Sequence, residues 1–465
     1  MARSPDESLP HQAGNWSDLM GTYRLFNNPA IEPAMIQQPH WQRTRALCGD
    51  HRMVLCVQDT SEMDYTGYGA KKGLGPIGRQ NGQGFLQHSV LAVLPGGRLL
   101  GVLHQRWQVR VAAREKESRK QRRERWNEGQ FWADGVEAVG RAPAATRFIT
   151  VTDRGGDNFE TFDACDRMGH GFIVRAQHDR CVNGNGEHLW ACMQKQPVLR
   201  TIQVKVPARR ARRTTNKGLG GKSQPARVAR VQVRAASVWL DPPKGDPRHP
   251  SPRQVQVVYA REIDAPPGVS EPIDWMLLGS EEASTARGAM RIIGFYRRRW
   301  VIEEYHKVQK SGCHLEHSQL QDVDALLRLA ALVGVVAVRM MWLRDLASPA
   351  IAPAATSRTK SAKQAPERSS PERSSPAAVP EHPAALQALM PMLWIKVVAH
   401  LAGVKNPMHL TPRQFWRTLA KRGGWLARTN DGRPGWKTLW RGWHEVALLV
   451  EGTQLLSDLT AQRCV

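Results

Sequence analysis

Two short apolar runs, MVLCVQD at 53–59 and RFITVTD at 147–153, constrain the fold most, because each ends on an aspartate. Runs of this length and composition read as buried strands rather than helices. FLQHSVLAVL (85–94) and RLLGVLHQRW (98–107) predict two more strands, with the turn residues Pro95-Gly96-Gly97 between them. A charged helical segment follows near 113–128. After RFITVTD come Gly155-Gly156, a helix over about 158–168, and GFIVRA (171–176) as a fifth strand. Strands interspersed with helices predict a mixed α/β domain. Asp59 and Asp153 then emerge at the ends of their strands.

From about 180 the pattern changes. RTIQVKV (200–206), ARVARVQVR (226–234) and QVQVVYA (254–260) alternate with period two, which predicts half-buried antiparallel strands. Between Arg200 and Val238 there is no acid and there are eleven Lys or Arg, so this β-rich insertion has a basic face. A helix is expected over about 284–312, and an apolar core helix from Asp322 to Leu346. Residues 348–384 are rich in Pro, Ala and Ser and read as a linker. The remainder reads as helical, with Thr411-Pro412 as one helix start and Trp416, Trp425, Trp436, Trp440 and Trp443 crowding the end. Such tryptophans serve a small core, a protein contact, or both.

The chain of 465 residues carries 66 Lys+Arg against 42 Asp+Glu, a formal charge of +24. An excess of that size points to a polyanion, with nucleic acid first and anionic lipid as the alternative. No apolar run is expected to reach the roughly 18 residues that span a bilayer, and no secretory pattern opens the chain. The seven cysteines are odd in number and lack a CxxC pair. Reduced thiols of a cytoplasmic protein are therefore expected, with neither a disulfide framework nor a zinc site.

YRRRWVIEEYHKVQK (296–310) adds the chemistry. At roughly 100° per residue, Tyr296, Arg299, Glu303 and Lys310 fall within an arc of roughly 60°. Lys307 lies near that stripe, while Val301, Tyr305 and Val308 gather opposite and suit a core. Glu304 points roughly 80° from Tyr296 and is left out. Taken singly, an aspartate after a strand is most often a turn former, and a glutamate among arginines is a solvated ion-pair face. Taken together, Asp59, Asp153 and Glu303 have another use. Bunched carboxylates repel, and a divalent cation resolves the repulsion. Mg²⁺ favours such oxygen ligands, and two ions roughly 4 Å apart clamp an in-line phosphoryl displacement.

At these residues the chain resembles the DDE transposases of the bacterial insertion-sequence-four type, the group that includes the Tn-five transposase. Tyr296, Arg299, Glu303 and Lys310 match every position of that family's Tyr-x2-Arg-x3-Glu-x6-Lys signature. Asp153-Arg154-Gly155-Gly156-Asp157 matches its Asp-Arg-x-x-Asp run, and VQDTSEMDYTG (57–67) matches the context of its first acid. GQGFLQHSVLAV (82–93), GVLHQRW (101–107), EKES (115–118) and GWKTLWRGW (435–443) extend the likeness over most of the chain.

The resemblance implies a ribonuclease-H-like α/β catalytic domain interrupted by a β-rich insertion, with a helical C-terminal domain. The expected organisation is a short N-terminal helical region (1–45), the catalytic domain in two parts (46–180 and 284–347), the insertion (181–283), the linker (348–384) and a dimerisation domain (385–465). Asp59, Asp153 and Glu303 would hold two Mg²⁺, or Mn²⁺, for nicking, hairpin formation and resolution, and strand transfer. The implied partners are the transposon's terminal inverted repeats, target DNA and a second copy of the chain, and no membrane. Tyr296, Arg299, Lys310 and Lys307 would hold phosphates. Trp275 would stack on a flipped base, where stacking contributes roughly 1–3 kcal/mol, and Arg175 would lie near the same DNA end. A core tryptophan and a surface arginine are the alternatives for those two. MARSPDESLPHQAG does not resemble the family's end-recognition stretch. Two other readings therefore stay open: an N-terminally truncated inhibitor of transposition, and a metal nuclease that cuts without joining.

Overall fold

In the computed structural model the described residues run from 5 to 462, apart from 68, 70, 79–80, 112–126, 209–222, 244–247, 250, 352–382 and 429–430. They divide into two compact units, Gln38–Thr66 with Leu74–Glu304, and Met1–Gln37 with Gly67–Gly73 and Tyr305–Val465. The first unit holds every strand: β1 Met53–Asp64, β2 Gly75–Ile77, β3 Gly82–Val93, β4 Leu99–Gln108, β5 Arg147–Thr152, β6 Gly171–Arg175, β7 Cys181–Val182, β8 Glu187–His188, β9 Arg200–Val206, β10 Arg227–Leu240, β11 Arg253–Ile263 and β12 Asp274–Gly279. These form one mixed sheet in the order β2-β3-β1-β5-β6-β12-β11-β10-β7-β8, with β4 on β3 and β9 on β10.

The turn at Pro95-Gly96-Gly97 joins β3 to β4 as expected, and Gly97 has φ 101°, a conformation that glycine alone adopts freely. β1 runs antiparallel to β3 but parallel to β5, and β5 runs parallel to β6. Parallel strands need crossovers, and the Phe159–Met168 helix supplies the one from β5 to β6. Its Phe162 and Cys165 join Val136 of the Gln130–Val139 helix, Phe172 and Val174 in a core on one sheet face. The opposite face receives the Ala286–Tyr296 helix, which meets β5, β6 and β12. Leu55, Val57, Ile149, Val151 and Ile173 are fully buried, as strands covered on both faces require.

Two features go beyond the sequence reading. β1 does not stop at Asp59 but continues to Asp64, because β3 goes on pairing with it through Asp64↔Gly84. Its parallel pairing with β5 stops at Val57↔Val151, so Asp59 lies where one neighbour is lost. The β-rich insertion is not a separate sheet either, since β12 pairs antiparallel with β6 and carries β11 and β10 into the same sheet. The helix expected near 113–128 and most of the 348–384 linker fall outside the described residues.

The second unit is helical. Val323–Ile351 packs on Trp16–Asn27, on Pro412–Arg422 and on Trp436–Gln462. That packing draws the chain after Glu304 into this unit, whereas the sequence boundaries place 284–347 with the strands. Val323–Ala347 is long and apolar enough to cross a membrane, contrary to expectation, but 72% of its apolar window is buried inside the structure. Asn15 caps Trp16–Asn27 by accepting from Asp18 N, and Thr411 and Gln414 form a capping box on Pro412–Arg422. Trp394, Trp416 and Trp443 group together, with centroids 4.3 Å apart for Trp394–Trp443 and 6.3 Å for Trp416–Trp443.

Two glycines set the closest helix crossing. A Cβ on Gly442 would lie 1.7 Å from Leu419 O, and one on Gly423 would lie 1.8 Å from Thr438 O. Backbones this close leave no room for a methyl. Gly442→Val is therefore expected to cost about 1–3 kcal/mol or more by overpacking, whereas Gly452→Ala, with nothing near its Cβ, should gain about 0.5–1 kcal/mol. Thermal unfolding of the two variants checks the contrast.

Candidate functional site

The β1–β5 pairing ends at Val57↔Val151, two residues before Asp59 and Asp153, and the Asp153 charge acts on the Asp59 carboxyl. Both share the strand face of Leu55, Val57, Ile149 and Val151, because side chains alternate. That is the face crossed by the Ala286–Tyr296 helix, which leads through a 3₁₀ turn at Arg297–Arg299 into Trp300–Lys307. Arg298 fixes the turn by donating from Nε to Pro95 O at 2.9 Å. The turn contacts β1.

Arg299 occupies the centre. Its Nη1 lies 3.2 Å from Asp59 Oδ2, and its Nη2 donates to Glu303 Oε1. Exposure of these side chains is 12% for Arg299, 17% for Asp59 and 35% for Glu303, so Asp59 and Arg299 meet largely out of water. Burial first, then the Asp153 charge, pushes the Asp59 carboxyl up to about 7, against the pull of Arg299 and the Thr60 N–H. Burial pulls the Arg299 guanidinium down, but Tyr296, Glu303 and Asp59 more than offset it and hold it above its ordinary value.

Asp153 caps the following 3₁₀ turn, its Oδ1 accepting from Gly155 N at 2.8 Å. The turn-forming role and nearness to Asp59 coexist. Asp157, the other acid of the Asp-Arg-Gly-Gly-Asp run, faces elsewhere. It is buried and accepts from Gln177 N, His178 N and Arg180 Nη1, which locks the chain after β6.

Tyr296 is buried, and its ring meets Trp275 edge-on at 5.2 Å. Burial raises its hydroxyl, with Arg299 and Arg175 pulling down and Asp153 pushing up. Three expected site residues, Arg299, Arg175 and Asp153, thus lie within electrostatic reach of one phenol. Arg175 also donates to Asp274 O at 2.9 Å. Lys307 and Lys310 belong to the helical unit, where Lys310 Nζ lies 3.3 Å from Glu316. The uniform helix behind the expected stripe is broken here, since Val308–Gly312 is wound as a π-helix. Tyr305 and Val308 are buried as expected, with Ile302 buried in addition and Val301 only half-buried.

Among the described residues, no three His, Cys, Asp or Glu side chains are gathered closely enough to share one ion. The Arg299 guanidinium instead pairs with both Asp59 and Glu303. The set is still made of hard oxygen donors, and a buried carboxyl pushed up by a neighbouring acid is one that a divalent cation would stabilise.

Sequence reasoning overlooked two neighbours. Trp300 is 59% exposed, with the Arg299 guanidinium 5.6 Å from its ring centroid. An exposed indole beside the signature arginine was legible from spacing alone. The other is His88, buried under β1, with Nδ1 2.8 Å from Thr60 Oγ1 and Nε2 3.0 Å from Gln58 Oε1. It thus ties down both residues flanking Asp59, a cross-strand link that no sequence spacing announces.

Residues 393–460, which include the Pro412–Arg422 helix and most of Trp436–Gln462, match the family model of the transposase Tn5 dimerisation domain.

The raised Asp59 carboxyl fixes a pH dependence. Its folded pKa exceeds the unfolded value, so the folded state holds the proton more tightly. Stability should fall as pH rises from about 4 to about 7, and the loss is complete above that range. Asp59→Asn is expected to flatten the slope, read by thermal unfolding across pH.

Proposed function

We propose that this chain, whose residues 393–460 match the Tn5 transposase dimerisation domain, is a transposase of that type that cuts and rejoins DNA at transposon ends, with Asp59, Asp153 and Glu303 as ligands for two Mg²⁺ ions that Mn²⁺ can replace. The single observation behind this reading is that Arg299 joins Asp59 to Glu303, with the Asp153 charge acting on the same Asp59 carboxyl. The strand order β4-β3-β1-β5-β6, an antiparallel meander followed by two parallel strands, supports a ribonuclease-H-like catalytic core.

The proposed series is nicking of one strand by water, attack of the freed 3′-hydroxyl on the opposite strand, opening of that hairpin by water, and joining to target DNA. When bound, the ions would polarise the phosphoryl oxygens and favour the attacking hydroxyl as its oxyanion. The protein's own residues supply position. Arg299, Arg175, Lys307 and Lys310 offer cations to backbone phosphates. Tyr296 is braced by Trp275, and the Trp275 indole offers a face to a base turned out of the stack. The Tn5 dimerisation domain at 393–460 supports a homodimer that holds two ends together.

Duplexes carrying the inverted repeats that flank the reading frame test this. Wild type should nick, form hairpins and join in Mg²⁺, whereas Asp153→Ala and Glu303→Gln should do none of these while keeping their melting temperature within a few degrees. Mg²⁺-dependent cleavage by either variant would remove it from the ligand set, and cutting without joining would favour the nuclease reading. Trp275→Ala should slow hairpin formation more than the first nick. Equal slowing would assign it to packing.

A further inference from the structure

Arg299 is committed twice over. Its two terminal nitrogens are spent on Asp59, 240 residues earlier in sequence, and on Glu303, one helical turn later. A guanidinium directs its donors in one plane as a rigid fork, so it cannot turn towards a phosphate while both carboxylates hold it in this orientation. The same carboxylates cannot enclose a shared cation while the fork stands between them. Releasing Arg299 without a replacement would leave Asp59 buried, unpaired and beside Asp153, which is costly. The exchange is therefore all-or-none: one positive charge leaves the carboxylates as another arrives.

The surroundings permit such a move. Arg299 sits in a 3₁₀ turn between two α-helical stretches, a geometry that often marks a hinge. Arg298, one residue earlier, is pinned to Pro95 O, so motion of Arg299 need not carry the whole turn. The guanidinium already lies 5.6 Å from the exposed Trp300 ring, so its surroundings reach solvent on that side.

Resting on the metal-ion reading above, we propose that Arg299 is an internal stand-in for the catalytic cation. It neutralises Asp59 and Glu303 while the site is free of metal, and yields to the ion by swinging towards a DNA phosphate. Cation and DNA then favour one another's binding, because each takes one half of what Arg299 can do. The resting site keeps its carboxylates charge-balanced and unavailable until both partners are present.

The test measures Mn²⁺ binding to the full chain by electron paramagnetic resonance at pH 7.5, without DNA and with a transposon-end duplex, for wild type, Arg299→Gln and Glu303→Gln. Wild type should bind Mn²⁺ weakly alone and at least tenfold more tightly with DNA. Arg299→Gln should bind at least tenfold more tightly than wild type without DNA and gain little on adding it. Its melting temperature should be lower than wild type without metal and recover in Mn²⁺. Arg299→Gln affinity equal to wild type, with the DNA-dependent gain retained, would overturn the stand-in role while leaving the ligand set intact. Glu303→Gln binding Mn²⁺ as wild type does would instead overturn the metal reading itself. If Arg299→Gln fails to fold without metal, Arg299→Lys gives the same comparison. Its single ammonium cannot bridge both acids, so it should bind Mn²⁺ between the two extremes, and an affinity no tighter than wild type would overturn the proposal.

Discussion

The parallel register between β1 and β5 is the constraint from which the site follows. It brings two aspartates to the same end of neighbouring strands, within electrostatic reach of one another. Parallel pairing is possible only with crossovers and burial on both faces, which explains the fully buried Leu55, Val57, Ile149 and Val151. The hydrophobic effect fixes the frame, and the frame forces like charges together. Sequence separation between Asp59 and Glu303 is then no obstacle, because neither moves to meet the other.

Electrostatics at the site oppose those of the chain. The protein carries a formal +24, which attracts polyanions at long range, yet at its candidate centre two acids share one guanidinium and a third acts on Asp59. Arg299 answers that local excess. Its two ion pairs are partly buried, and such pairs contribute little net stability while leaving a large penalty when broken. They are better understood as holding a charge balance than as holding the fold together.

Much of this was legible beforehand, for physical reasons. The strand at 147–153 was visible because a short β-rich run with no helical period has few other uses, and Thr411-Pro412 because a proline at the first helical position fits only a start. Both acids were visible because they follow such runs. The full length of β1 was not, since β3 rather than local pattern sustains pairing to Asp64. The stripe from Tyr296 to Lys310 was read as one uniform helix, but the chain passes from 3₁₀ to α to π winding within that span. Tertiary packing decides such changes and leaves no mark in periodicity. The bridge made by Arg299 was likewise hidden. Spacing showed that it shared a face with Glu303, but only the sheet could bring Asp59 to its other side.

The most direct measurement of the central claim is the anomalous signal of Mn²⁺ in crystals of the chain bound to a transposon-end duplex. The account predicts density about 2.0–2.2 Å from carboxylate oxygens of Asp59, Asp153 and Glu303, with Arg299 turned away from Asp59. Ordered DNA at the site with Mn²⁺ bound elsewhere, and Arg299 still bridging Asp59 and Glu303, would contradict it.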